Sequence, residues 1–474
     1  MNTVAVIGGG YAGAAFAIHL SRNSPVPLRI VVVEPAASLG GGLAHAARHP
    51  DHRLNGPDAV HFLYPGQPDH FGDWMRQTGA LERDPEAVTE SGAIFARRAD
   101  FGAYMAAQMA QHQSDNLSGS EIVHLRDTAV GLARDDDGLA LRLSQGDTMA
   151  VGLCILATGQ EKPGVPSVIE SLAEHPNYFG DPWDIEALAR IETHDPVLIL
   201  GTGLTTADVI VTLVRQGHQG PIRAIARRGL RPHSQNIHRQ MQSMWDKLDR
   251  FPPAFIERHG PTTSAVSVLR ALRRDIARGA SNGVSWYECF DDLRDAVITL
   301  WPSLPGPEKA RFMRHLKPWY DTHRFRIPPQ TEAIVEPAVE SGQVRFEAAR
   351  LTQVERDGDG FIAKTVQRGG RHSAESRVGA IVNCTGPDGR LAGTRNPFIS
   401  DLLHEGWIRP GPLGLGIDVD NHCRAMTRNG QPSAYLYALG PPTSSSQGET
   451  LSVPFITRQI DQMLPGVIAG ISGP

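Results

Sequence analysis

The fold of this chain is decided near its start, by Val4-Ala5-Val6-Ile7-Gly8-Gly9-Gly10-Tyr11-Ala12-Gly13. The apolar residues predict a buried strand, and a helical pattern of apolar residues begins directly after the glycines. Gly8, Gly10 and Gly13 form a Gly-x-Gly-x-x-Gly motif. In a dinucleotide site, the first glycine makes the tight turn, the second admits a pyrophosphate, and the third lets helix and strand pack closely. The stretch therefore predicts a strand–turn–helix unit that binds a dinucleotide.

A second strand supports this prediction. Ile30-Val31-Val32-Val33 is an apolar run, and Glu34 closes it, about 20 residues beyond the last glycine of the motif, where an acid accepts hydrogen bonds from ribose hydroxyls. The alternative is an ordinary strand–helix turn without a ligand. Because strand, helix and acid occur in the expected order, the dinucleotide is favoured.

Length and charge limit the possible classes of function. The chain has 474 residues, enough for about three domains. Its 46 basic and 51 acidic residues give a net charge of −5, so we expect no nucleic-acid partner. No apolar run reaches the ~18 residues of a membrane span, and no export signal precedes the first strand. We therefore expect a cytoplasmic protein without a membrane partner.

The cysteines argue against two kinds of chemistry. Cys154, Cys289, Cys384 and Cys423 are far apart and form no Cys-x-x-Cys motif. This spacing fits a reduced protein and counts against dithiol–disulfide exchange and against a zinc site. We therefore predict no bound metal.

Two loops after the first βαβ unit are candidates for wrapping the rest of the dinucleotide. One is rich in glycine and contains Gly42 and Leu43, and the other contains Asn55. Loops on a rigid scaffold often carry binding residues, although plain surface loops are the alternative. The first half then closes with a buried strand that ends at Thr158 and Gly159. We expect all five residues at the cofactor.

The pattern of strand, glycine-rich turn and helix then recurs, which predicts a second dinucleotide site. Val197-Leu198-Ile199-Leu200 leads into Gly201-Thr202-Gly203-Leu204-Thr205-Thr206, and a helix follows. Thr206 stands at the third glycine position, so its helix must lie slightly further from the strand. The next strand ends in Arg227-Arg228 instead of an acid. Guanidinium groups at that position suit a 2′-phosphate, hence NADP(H) rather than NAD(H), although a solvated arginine pair is the alternative.

We expect this second cofactor to be bound by five residues. They are Gly201, Gly203, Thr205, Arg227 and Arg228.

Residues 233–328 are interpreted as a helical insertion. The segment 311–326 within it is the richest in reactive side chains, and His315, His323 and Arg326 are candidates for a polar or anionic substrate site. The alternative is an amphipathic helix that packs its apolar face inward.

The last part of the chain returns to the first domain. We expect Gly440 and Thr450 to contact the cofactor, and Ser452 to cap a helix that ends at Pro465. A helix N-terminus at this point can face the pyrimidine edge of a flavin and stabilise negative charge when the flavin is reduced.

The order of these motifs resembles that of the two-dinucleotide-domain flavoproteins. The segments Asp181-Pro182-Trp183 and His323-Arg324-Phe325-Arg326 look like those of a group known as FAD/NAD(P)-binding proteins. That group is similar to the flavin-dependent N-hydroxylating monooxygenases. The resemblance implies FAD in an interrupted outer domain, NADP(H) in an inserted domain, and N-hydroxylation as the activity.

We therefore predict an α/β protein with two Rossmann-like, three-layer dinucleotide-binding domains, the second inserted in the first, plus the helical insertion. The expected FAD-binding domain comprises residues 1–165 and 379–474, and the expected NAD(P)-binding domain comprises residues 190–232 and 329–378.

The resemblance favours an NADPH-driven, FAD-dependent monooxygenase that hydroxylates a small amine or amino acid through a peroxyflavin, with molecular oxygen as co-substrate. One alternative is an FAD-dependent NAD(P)H reductase of a small organic acceptor without oxygen insertion. Another is a non-catalytic, nucleotide-binding regulatory module. Because the flavin ring itself accepts hydride and activates oxygen, the sequence assigns no side chain to catalysis.

Overall fold

The computed structural model describes residues 2–47, 49–135, 138–235, 244–370 and 372–472. Residues 236–243 of the predicted helical insertion lie outside this part. The strands are β1 (Thr3–Ile7), β2 (Arg29–Val33), β3 (Glu121–Leu125), β4 (Ala129–Asp135), β5 (Gly138–Leu143), β6 (Thr148–Val151), β7 (Leu153–Leu156), β8 (Tyr178–Phe179), β9 (Val197–Leu200), β10 (Ile222–Ala226), β11 (Val344–Asp357), β12 (Gly360–Gln367), β13 (Ser373–Val378), β14 (Ala380–Asn383), β15 (Arg424–Met426) and β16 (Pro432–Ala438).

The helices connect these strands and form the insertion. They are α1 (Tyr11–Asn23), α2 (Gly42–His45), α3 (His70–Gln77), α4 (Arg98–Ser114), α5 (Ile185–Leu188), α6 (Leu204–Arg215), α7 (Met244–Asp249), α8 (Ala254–His259), α9 (Ala265–Ala280), α10 (Trp286–Ser303), α11 (Gly306–His315), α12 (Lys317–Arg324), α13 (Pro329–Glu340), α14 (Pro397–Glu405), α15 (Ser444–Gln447) and α16 (Val453–Ser472).

The first sheet has the strand order β15-β16-β7-β1-β2-β3. Strands β16, β7, β1, β2 and β3 run parallel to one another. Parallel strands covered on both faces read as continuous apolar runs, which explains why β1, β2 and β7 were recognisable in the sequence. Helix α1 packs between this sheet, α4 and α16. The predicted first dinucleotide-binding fold is confirmed.

The second sheet has the order β13-β12-β11-β10-β9-β14-β8. Its parallel part comprises β11, β10, β9, β14 and β8, whereas β12 and β13 are antiparallel. Helices α6 and α13 pack together on this sheet. The α/β fold class with two Rossmann-like sheets is therefore confirmed.

Two strands lie in the second sheet although the expected boundaries exclude them. A boundary at residue 379 assigns β14 to the first domain, yet β14 pairs with β9 in parallel. Strand β8 precedes residue 190 and pairs with β14. A short apolar run does not reveal which of two parallel sheets it joins, and this is why the boundary was misplaced.

The helical insertion comprises α7 to α12 in its described part. Its core is formed by Phe255, Leu272, Phe290 and Leu293. A small antiparallel sheet of β4, β5 and β6 packs against α14 on the other side of the first domain. None of the described helices is both long enough and apolar enough to cross a membrane. All four cysteines are buried and none forms a disulfide.

The expected end of the last helix at Pro465 is wrong. Helix α16 continues through Pro465 to residue 472. Val467 and Ile471 are buried in the core of the first domain. Tertiary packing of this apolar face therefore outweighs the loss of the proline N–H from the helix.

Candidate cofactor and substrate sites

The turn between β1 and α1 accepts only glycine at two of its three motif positions. Gly8 has φ +103°, and a Cβ there would lie 2.4 Å from the carbonyl oxygen of Ala157. A Cβ on Gly13 would lie 1.9 Å from the carbonyl oxygen of Gly8. Both contacts are with backbone, which cannot move aside without disturbing the sheet. Gly10, at the start of α1, faces the backbone of Gly42 and leaves the helix N-terminus accessible.

The carboxyl ends of the parallel strands meet at one edge of the first sheet. Glu34 comes directly after β2, and Thr158 and Gly440 each come two residues after the ends of β7 and β16. A Cβ on Gly440 would lie 3.4 Å from the Cβ of Ala12, so Gly440 lies beside the first turn of α1. Ligands of open α/β sheets bind outside this edge. The structure thus brings these sequence candidates together.

The carboxylate of Glu34 is held in place by two backbone amides. The Gly9 N–H donates to its Oε2 at 2.8 Å, and the Ala36 N–H donates to its Oε1 at 2.9 Å. Each carboxylate oxygen has a second lone pair. Glu34 can therefore accept hydrogen bonds from a ribose while its own position is fixed.

The turn between β1 and α1, together with the adjoining edge of the first sheet, is called the first cradle below. The two candidate loops differ in their contacts. Gly42 has φ +52° and contacts Gly10 directly. The neighbouring Leu43 side chain is exposed. The carbonyl oxygen of Asn55 accepts a hydrogen bond from Nε2 of Gln235 at 2.5 Å, which links this loop to the segment that leads into the insertion.

Thr450 carries a buried polar atom without a partner. Its side chain is only 2% exposed, and its Oγ1 has no hydrogen-bond partner within the described part of the chain. Buried hydroxyl groups are almost always hydrogen-bonded, so an orphaned one indicates a missing partner. Thr450 lies in the loop between α15 and α16, where the sequence predicts FAD.

The second cradle begins where β9 meets α6. Gly201 has φ +124°, and a Cβ there would lie 2.1 Å from the carbonyl oxygen of Cys384. A Cβ on Gly203 would meet nothing within 4 Å, so the backbone at the start of α6 is open to a phosphate. Thr205 is half-buried in the first turn, and Thr206 occupies the third glycine position with its side chain fully buried.

The three arginines after β10 have different surroundings. Arg227 is exposed and forms no ion pair with any described residue. Arg228 donates to the carbonyl oxygen of His315 at 3.3 Å, and Arg231 is paired with Glu336 at 2.8 Å. Arg227 is therefore the guanidinium most available to an anionic ligand at this strand end.

A cavity of about 1050 Å³ connects the strand ends of both sheets with the insertion. Thr158 and Gly159 line it from the first sheet, and Thr385 and Gly386 line it from the second. Helices α9 to α12 supply a large part of the remaining wall, which is largely apolar. Pockets of this shape at strand ends are the usual sites of ligand binding and catalysis.

The three sequence candidates for the substrate site are dispersed. His323 lines the cavity, and its Nδ1 shares a hydrogen bond with the carbonyl oxygen of Trp319 at 2.7 Å. His315 is exposed and lies outside the cavity wall. Arg326 is buried and paired with Asp291 at 2.9 Å, which makes it part of the insertion's interior.

Sequence reasoning missed an ion pair that joins the insertion to the first domain. Arg324 at the end of α12 contacts Glu449 at 3.1 Å; the Glu449 side chain is buried and that of Arg324 is largely so. The Tyr320 hydroxyl donates to the same carboxylate at 3.2 Å, and burial raises the pKa of Tyr320 well above its usual value. The segment His323-Arg324-Phe325-Arg326 could have indicated Arg324 from the sequence. Glu449 lies in a loop, and no sequence motif indicates it.

These features define the fold of the two-dinucleotide-domain flavoproteins. Residues 5–161 match the family model described as FAD-NAD(P)-binding. No curated protein sequence matches the chain.

Solved structures of several monooxygenases share the fold over nearly the whole chain. One is L-lysine 6-monooxygenase from Pseudomonas syringae, with 15% identity, 98% of each chain covered and a TM-score of 0.66. Another is the ornithine N-hydroxylase of Kutzneria sp. 744, with 14% identity, 98% of each chain covered and a TM-score of 0.65. A third is the FAD-bound cadaverine monooxygenase from Erwinia amylovora, with 14% identity, coverage of 98% of this chain and 94% of that chain, and a TM-score of 0.64.

Proposed function

We propose that the protein is an FAD-dependent, NADPH-driven monooxygenase that hydroxylates the nitrogen of an amine. The observation that carries the proposal is the shared cavity, because the strand ends of both dinucleotide folds open into it. A hydride donor bound at one sheet and a hydride acceptor bound at the other would then face the same cavity. Structures with the same fold are described as a lysine 6-monooxygenase and an ornithine N-hydroxylase, which supports an amine as the substrate.

The first cradle would hold FAD through four residues. Gly8 and Gly10 shape the turn that presents the N-terminus of α1 to the pyrophosphate. Glu34, fixed by its two backbone amides, would accept hydrogen bonds from the ribose. Thr450 would donate its otherwise unpaired hydroxyl. When bound, the flavin supplies the hydride acceptance and the oxygen activation.

The second cradle would hold NADPH. Gly203 leaves the amides of the first turn of α6 open to the phosphates. The exposed Arg227 would contact the 2′-phosphate, and a charge-assisted contact of this kind distinguishes NADPH from NADH.

The cavity wall would keep water away from the reacting atoms. Many of its apolar side chains come from the insertion, which the Arg324–Glu449 pair fixes to the first domain. Excluding water suppresses side reactions at an oxygen-activating centre. We assign no side chain to proton transfer.

Incubating the purified protein with FAD, NADPH and oxygen tests this proposal. We expect NADPH oxidation and hydroxylamine formation to rise together when an amine is added. Rapid reduction of a quinone without any dependence on oxygen would favour the reductase alternative. A flavin that stays oxidised under excess NADPH and NADH would favour the regulatory alternative.

A further inference from the structure

The wall of the cavity is more apolar than a short polar amine requires. Much of the apolar wall belongs to α9, α10, α11 and the residue that follows α11, whereas the glycine turns for the cofactors lie at the strand ends. Representative wall residues are Leu269, Leu272, Leu300, Phe312, Met313 and Leu316.

Polar atoms on two large aromatic side chains of the wall are already used by the protein. Nε1 of Trp301 donates to the carbonyl oxygen of Ser445 at 2.8 Å. The Tyr320 hydroxyl donates to Glu449. These two rings therefore offer the cavity their apolar faces rather than free hydrogen-bonding groups.

The charges on the wall do not favour a diamine. Four acidic residues line the cavity among the described residues, and each has a basic partner: Asp321 with Lys317 at 2.5 Å, Asp388 with Arg390 at 3.0 Å, Glu449 with Arg324 at 3.1 Å, and Glu161 with Arg395 at 4.0 Å. Arg273 also lines the cavity and forms no ion pair with any described residue. The uncompensated charge is thus positive; because Arg273 is exposed to solvent, it repels a second ammonium group only weakly.

The mouth of the cavity is apolar as well. Trp319, Leu413 and Leu451 line the cavity and yet remain 44%, 44% and 38% exposed. Leu413 has φ +64°, a left-handed conformation that is rare for a leucine and is found where surrounding structure enforces it. An apolar ligand could therefore enter past these side chains or extend along them.

We propose that the substrate is an amine with a large apolar body, such as a long-chain alkylamine or an arylalkylamine. The helices α9 to α12 hold the apolar body, and the amino group points toward the strand ends. The amine part of this inference rests on the proposed function, whereas the apolar recognition is a property of the wall itself.

A series of linear amines from butylamine to decylamine, compared with ornithine and lysine, tests this inference on the FAD-loaded protein. Binding is measured by quenching of tryptophan fluorescence, to which Trp301 and Trp319 in the cavity wall contribute, and turnover by hydroxylamine formation with NADPH. We expect the Kd to fall about fourfold for each added methylene, which corresponds to ~0.8 kcal/mol per buried CH₂.

Leu269→Gln places an amide of similar size on the half-buried part of the wall. We expect it to weaken decylamine binding about tenfold and to leave butylamine binding unchanged. Leu117→Gln is the matched control, because Leu117 is 81% exposed and lies outside the cavity wall.

The two proposals fail in different ways. If ornithine or lysine binds and reacts better than every alkylamine, the apolar substrate class is wrong and the proposed activity stands. If affinity rises with chain length but no amine yields a hydroxylamine, the apolar recognition stands and the proposed activity is wrong.

Discussion

The Arg98 guanidinium lies 2.8 Å from the carboxylate of Asp208, and this buried ion pair joins α4 of the first domain to α6 of the second. On the same helix, Oγ1 of Thr212 lies 3.0 Å from Nε2 of His52. Helix α6 begins at the second cradle, so these contacts fix that cradle relative to the first domain. The distance between the two cofactor sites therefore depends on a few buried polar contacts.

Asp208→Asn leaves Arg98 as an uncompensated buried charge. We expect the free energy of unfolding to fall by about 3–5 kcal/mol, as is typical when one partner of a buried pair is removed. Urea denaturation measures the change. Asp73→Asn is the control, because the Asp73–Arg76 pair is exposed and should contribute less than ~1 kcal/mol. A loss below 1 kcal/mol for Asp208→Asn would show that the interdomain pair is dispensable.

Thr450→Val separates ligand binding from folding. Because the Thr450 hydroxyl has no partner among the described residues, we expect no loss of stability without FAD. With FAD, we expect the Kd to rise about 5–10-fold, the value of one lost hydrogen bond. Thr457→Val is the contrasting variant: its hydroxyl bonds the Tyr11 hydroxyl at 2.6 Å, so its loss should destabilise the protein even without FAD. Unchanged FAD affinity in Thr450→Val would remove Thr450 from the cofactor site.

Arg227→Gln tests the choice between nicotinamide cofactors. We expect the KM for NADPH to rise about 10–100-fold, because a charge-assisted hydrogen bond contributes ~1.5–3 kcal/mol, while the KM for NADH changes little. Steady-state NADPH and NADH oxidation give both values. Arg345→Gln, an exposed arginine on the neighbouring β11, is the control and should alter neither value. An equal effect on both cofactors would contradict 2′-phosphate recognition by Arg227.

Buried histidines should make the protein less stable at mildly acidic pH. Burial lowers the pKa of His19 and of His61 to about 4, whereas an unfolded histidine has a pKa of ~6.5. Between these values the unfolded state binds more protons. The free energy of unfolding should therefore decrease as the pH falls from ~6.5 toward ~4, by up to ~1.4 kcal/mol per pH unit for each histidine.

Urea unfolding at pH 7.5 and pH 5.5 measures this dependence. His19→Gln should make it shallower, because one histidine no longer takes up a proton on unfolding. His404→Gln should leave it unchanged, since the His404 side chain is 86% exposed. Equal pH dependence in wild type and His19→Gln would show that His19 is not a neutral, buried group.

The glycine turns were predictable from the sequence because their requirement is local. Gly8, Gly13 and Gly201 each lie against backbone carbonyls that exclude any side chain, and the strands beside them are continuous apolar runs. The sheet that β14 joins was not predictable, because either parallel sheet accepts a short apolar strand.

The cavity could not be predicted for a different reason. Arg324 and Glu449, which fix the insertion over the strand ends, are 125 residues apart in the chain. Nothing in the local sequence of either residue shows that they meet. Only the structure shows that part of the apolar face of α9 lines an open cavity rather than a closed core.

The visible spectrum of the purified protein, before and after anaerobic addition of NADPH, tests the central claim most directly. We predict a yellow protein, or one that becomes yellow with added FAD, whose flavin absorbance is bleached by NADPH. A colourless protein that takes up no FAD, or a bound flavin that stays oxidised with excess NADPH, would contradict the account.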